Sequence, residues 1–180
     1  MKDSESLSKF LVDHWASLRF LVLNPAKLFA VAEPPNDYRL ILIMALPPVL
    51  IFAIGIAVLK GNPWLALLGL VGAYAGIGIW SLALKYVLIF FGEKRPFTEI
   101  LYLAVCAALS LAVAWVPIVG PPVCFLLIAF WTFMGLVHRF KMNSGAAVAA
   151  VALPVVITGL GGGILSYLLI LLASLTTMFR

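Results

Sequence analysis

Charge is scarce in this 180-residue chain, and acidic charge is scarcest. Seven Asp and Glu stand against twelve Lys and Arg, and charged residues make up 11% of the total, where a soluble domain carries about 25%. No acid falls inside a long apolar run; Glu93 and Glu99 lie only at the ends of such runs. Proton- and cation-coupled carriers place a carboxylate at membrane depth. That class of pump is therefore disfavoured, although a channel lined by backbone carbonyls or hydroxyls is not excluded. Histidine is nearly missing too. His14 and His138 cannot make a zinc site without carboxylate or thiol help at the same depth, so neither a metal nor a cofactor is expected. No nucleophile–base pair, phosphate-binding glycine loop or pair of intramembrane carboxylates can be found, which argues against an enzyme.

Two cysteines, Cys106 and Cys124, occupy neighbouring apolar runs. If those runs form a hairpin turning near Val119, the thiols differ by ~12 Å in depth at ~1.5 Å per residue. A disulfide needs Cα atoms within ~7 Å, so two free, packed thiols are expected. A cleavable signal peptide is not visible, because the first long apolar run begins near Leu40 and charges of both signs precede it.

What the chain has in excess is apolar surface. The hydrophobic fraction is 64% and the mean hydropathy +1.17, against about 45–50% apolar residues in soluble domains. This composition predicts an all-α polytopic membrane protein. Five spans are expected, at about 40–59, 64–91, 99–116, 123–138 and 146–175, forming one membrane domain over 40–180. Residues 1–39 precede it as cytoplasmic, interfacial amphipathic helices. In 4–23, Leu7, Phe10, Leu11, His14, Leu18 and Leu21 repeat at helical spacing. Asn24-Pro25 then starts a short helix reaching about Ala32, with Asn24 as its cap. Asn36 is a candidate cap for the first span, and Pro47-Pro48 should kink that span. Pro117 to Pro122 reads as a tight turn, while Pro154 and the glycines from Gly159 to Gly163 should bend or break the overlong fifth run. The third and fourth spans are short, and full crossing and a re-entrant hairpin both fit them.

Placing the N-terminus in the cytoplasm leaves Lys60 and Arg180 outside and the other ten of the twelve basic residues inside, a strong positive-inside bias. Five spans then put the C-terminus outside. The net charge of +5 does not imply nucleic acid, because the basic residues are dispersed at loop ends rather than gathered in a stripe.

Few residues stand out as sites. Lys85 is the one formal charge well within an apolar run. It is either an anion or lipid-headgroup site, with Glu99 or Glu93 as partner, or a side chain that snorkels to the interface. Arg39, Lys94, Arg95, His138 and Arg139, with Lys141, form either a basic cluster for anionic headgroups or ordinary anchoring. Gly72 and Gly76, like Gly159 and Gly163, share a helix face, a pattern for close helix packing within the chain or between copies. Tyr74, Ser81, Ser110, Thr132, Thr158 and Ser166 either line a polar path or bond back to their own helices.

Three segments resemble the Yip-domain family of five-span membrane proteins. They are Leu23-Asn-Pro25 with Lys27-Leu-Phe29; Phe91-Gly92 with Pro96-Phe97 and Tyr102-Leu-Ala; and Val116-Pro117-Ile-Val-Gly120-Pro with Trp131, Gly135-Leu136 and His138. The resemblance implies five helices, a cytoplasmic N-terminus, no known catalytic activity, and partners that are small GTPases of vesicle traffic or proteins of the same family. Those relatives carry a longer polar N-terminal region than residues 1–39 provide, which weighs against transferring the GTPase association. Small size and an Ala/Leu/Val-rich makeup point to a prokaryotic member in the bacterial inner (cytoplasmic) membrane. The expected function is non-enzymatic, through self-association or binding of membrane partners and lipids. The alternative is a channel or transporter, for which the overlong, glycine-interrupted second and fifth runs and Lys85 are the grounds.

Overall fold

A computed structural model describes residues 24–31 and 34–156. The amphipathic stretch 4–23, the positions Gly159, Gly163, Thr158 and Ser166, and the rest of the fifth run lie outside the described residues. The elements in chain order are α1 (Pro25–Val31), α2 (Tyr38–Met44), α3 (Leu46–Lys60), α4 (Trp64–Phe90), α5 (Phe97–Ala107), a 3-10 turn at Ala108–Ser110, α6 (Leu111–Ala114), α7 (Gly120–His138) and α8 (Ser144–Val156). No strand occurs among the described residues.

Polar side chains punctuate the helices. Asn24 Oδ1 accepts from the Lys27 amide (3.3 Å) and Asn143 Oδ1 from the Gly145 amide (3.0 Å), capping α1 and α8. The cap of α2 is Asp37 rather than Asn36: its Oδ1 accepts from the Arg39 amide at 2.8 Å. At the end of α4, Gly92 adopts φ 80. Its amide donates to Ile89 O and that of Glu93 to Leu88 O, the paired bonds that close a helix on a left-handed residue.

The first expected span is a bent pair. α2 and α3 meet at 43° across Ala45. Pro47 and Pro48 fall in the first turn of α3, so neither can donate back to the carbonyls of the preceding turn, and their rings exclude a straight continuation. The turn between the third and fourth spans differs from expectation. Pro121 and Pro122 are not part of it; they lie in the first turn of α7, which begins at Gly120. Proline is tolerated there because those amides have no partner inside the helix.

Among the described residues three stretches are long and apolar enough to cross a membrane: Trp64–Phe90, Phe97–Ala114 and Gly120–His138; the bent α2–α3 pair makes a fourth if counted as one span. Of the expected fifth, α8 is described as thirteen residues, running through the buried Pro154 to Val156. The five-span count therefore rests partly on residues outside the description.

α5 is the hub. Every residue from Ile100 to Ala108 is buried, with α2, α4 and α7 packed around it. α1 packs on α7 and buries Leu28 and Phe29. The periphery reverses the order of a soluble protein. Ile54, Val58, Leu67, Leu68, Val71, Ile79 and Phe90 are exposed on α3 and α4, as is Leu126 on α7. Such contiguous apolar surface is rare on soluble monomers.

Candidate functional site

Small residues decide where these helices touch. Gly69 lets α4 approach α3, so that a Cβ there would stand 3.3 Å from Ala53 Cα. Leu103 of α5 fills the place a side chain at Gly135 of α7 would take. At Gly72 and Gly76 the outcome is different. A Cβ at either position would meet nothing within 4 Å, so neither glycine makes a close helix contact within the described chain.

The two glycines face a groove of about 530 Å³ between α3, α4, α5, α6 and α7, within the ~300–1,000 Å³ of small-molecule sites. Ala104 and Ala107 of α5 and Ala108 of the 3-10 turn continue the small-residue surface, and Phe52, Trp80 and Phe125 contribute aromatic rings. Trp80 Nε1 is buried with no hydrogen-bond partner among the described residues, a state that costs about 1–3 kcal/mol. Gly72, Gly76 and Trp80 follow at four-residue steps, so the indole was legible on the glycine face, but sequence reasoning passed it over. A second depression of about 540 Å³, between α3 and α4, is bordered by residues such as Leu50, Ile54, Trp64 and Leu67 and is equally apolar.

The hydroxyls do not form a path along either depression. Ser81 donates to Ile77 O (2.7 Å) and Ser110 to Ala107 O (2.8 Å), both on their own helical runs. Tyr74 donates to Leu42 O (3.1 Å) beside the α2–α3 bend. Thr132 is fully buried, and its Oγ1 has no hydrogen-bond partner among the described residues. Cys106 and Cys124 are free and buried, and Cys124 Sγ lies 3.4 Å from Ser110 Oγ.

A second cluster gathers where α4 ends, α5 begins and α7 ends. Arg95 pairs with Glu93 (3.3 Å), donates to Phe140 O (3.1 Å) and stacks over the Phe140 ring at 5.2 Å. Arg139 pairs with Glu99 at 3.9 Å, tying α7 to α5. The carboxylates expected to partner Lys85 are thus held by arginines. Lys85 Nζ instead lies 5.6 Å from the centroid of Phe97, whose ring also packs against Tyr38 at 6.3 Å. Arg39, Lys94 and Lys141 are exposed and His138 is half-buried. Phe140 gave no signal in the sequence, since its partner Arg95 is 45 residues away.

Among the described residues no group of three or more His, Cys, Asp or Glu could hold a metal. Comparison with protein-family models, with curated proteins and with solved structures finds no match to this chain.

Proposed function

We propose that this chain is a non-enzymatic, five-span protein of the Yip-domain type. In this reading it lies in a bacterial inner membrane, N-terminus cytoplasmic and C-terminus outside. It holds an apolar partner (a helix of a second copy, a helix of another membrane protein, or a lipid) against the face of α4 that carries Gly72 and Gly76. The observation that carries the proposal is that no described residue covers this glycine face, whereas Gly69 and Gly135 are spent on contacts within the chain. In a bilayer, helices associate through small residues that allow close approach. The unpartnered Trp80 indole beside that face supports the same reading, because a guest carrying an acceptor would relieve its cost.

Length favours full crossing by the third and fourth spans. Phe97–Ala114 has 18 residues and Gly120–His138 has 19, or ~27–28 Å at ~1.5 Å per residue, close to the ~30 Å hydrocarbon core. The channel or transporter alternative has less support, since both depressions are apolar and the Ser81, Ser110 and Tyr74 hydroxyls point to their own backbones or to the α2–α3 bend.

The test is native mass spectrometry of the full chain extracted gently from its own membrane. Wild type should carry a defined companion, whether a second copy, another protein or lipid. The Gly72→Leu, Gly76→Leu double variant should lose it while keeping its thermal stability. Wild type that is always bare, or a double variant that keeps the same companion at the same occupancy, refutes the proposal.

A further inference from the structure

The basic residues near the Glu93–Glu99 loop divide into two sets, and the division assigns one set to a ligand. Arg95 and Arg139 are committed inside the protein to Glu93, Glu99 and the Phe140 carbonyl. Asp37, the remaining described acid near this end, is engaged by the Arg39 amide as a helix cap. Lys85 therefore has no carboxylate within ion-pair distance among the described residues, although it lies five residues inside α4 from Phe90, ~7.5 Å along the axis.

The side chain resolves this by reaching toward the helix end. Its ammonium stands over Phe97, the first residue of α5, which brings the charge to the level where α5 starts. The ring satisfies one side of the cation and leaves other N–H donors of the ammonium available. Tyr38 packs against the same ring, and Arg39 follows it at the start of α2. The Lys85 cation thus stands against an aromatic residue with no carboxylate among the described residues to neutralise it. At the hydrocarbon–headgroup boundary, the complementary group is an anionic phosphate.

We propose that Lys85, set over Phe97 where Tyr38 packs, binds the headgroup of an anionic phospholipid, and that Arg95 and Arg139 serve only to hold the surrounding loops. The site rests on the membrane reading given above and is separate from the glycine groove. The full chain is reconstituted into vesicles of phosphatidylcholine with and without phosphatidylglycerol, floated, and the retained lipid counted by native mass spectrometry. Wild type should retain phosphatidylglycerol in preference to phosphatidylcholine. Lys85→Met should weaken that retention about fivefold, Lys85→Arg should keep it, and Lys60→Met, which removes a cation at the other end of α3, should leave it unchanged. Wild type without a preference, or Lys85→Met equal to wild type, overturns the site. So does displacement of the lipid by millimolar inorganic phosphate, which would mark a free-anion site. A chain that does not float with the vesicles overturns the membrane reading and the site together; one that floats without a preference overturns the site alone.

Discussion

Gly135 and Gly72 have the same missing side chain and opposite surroundings. Above Gly135 sits Leu103, so Gly135→Ala must displace a packed leucine between α5 and α7. Overpacking of this kind costs about 1–3 kcal/mol. Above Gly72 and Gly76 no described residue stands within 4 Å, and alanine there removes only the helix penalty of glycine, about 0.8–1 kcal/mol. Thermal unfolding in detergent should therefore show Gly135→Ala lowering the midpoint, while Gly72→Ala and Gly76→Ala leave it unchanged or raise it. Equal losses at all three positions would contradict this packing. The sequence offers no means of separating these glycines, because spacing shows which residues share a face but not what covers the face. The charged residues carry the same lesson. Arg95 and Lys94 are adjacent and indistinguishable in the sequence, yet Arg95 joins the α4–α5 loop to Phe140 through a carbonyl and a ring, while Lys94 is exposed. Arg95→Gln should cost roughly 1–2 kcal/mol and Lys94→Gln almost nothing, as judged by the same unfolding measurement.

Helix boundaries were legible wherever local chemistry sets them. Asn24-Pro25 started α1, the Pro47-Pro48 pair bent the first span, and Trp64 to Phe91 came within a residue of α4. The misreadings arose where a residue type has two uses. Asn36 and Asp37 both make good caps, and only the backbone geometry selects Asp37. Pro121 and Pro122 suit either the end of a turn or the first turn of a helix, and α7 takes the second. The bend has a consequence away from its own residues. Leu42 O accepts from the Ala45 amide and also from the Tyr74 hydroxyl of α4, so the kinked pair is tied to the neighbouring helix. Tyr74→Phe keeps the ring and removes that bond. It should lower stability by about 0.5–1.5 kcal/mol, and an unfolding midpoint identical to wild type would show that the bond does not hold the bend.

The bundle as a whole pairs a central helix buried from Ile100 onward with an apolar outer surface, an arrangement suited to lipid. All-α character was plain from composition; the apolar groove was not, because it depends on five elements separated by up to 76 residues, from Phe52 to Ile128. Orientation can be checked with cysteines in a Cys106→Ser, Cys124→Ser background. Asn62→Cys should react with a membrane-impermeant thiol reagent added outside intact cells, and Lys94→Cys only after lysis, as the positive-inside bias requires; the reverse pattern would invert the topology. The most direct measurement concerns the glycine face. In the same background, Gly72→Cys is labelled in native membranes with a thiol-reactive photocrosslinker, beside Val58→Cys on the outer face of α3, where the native residue is 75% exposed. A groove that holds a partner predicts one defined adduct from position 72 and only bulk lipid from position 58. Bulk lipid alone from both positions would contradict it.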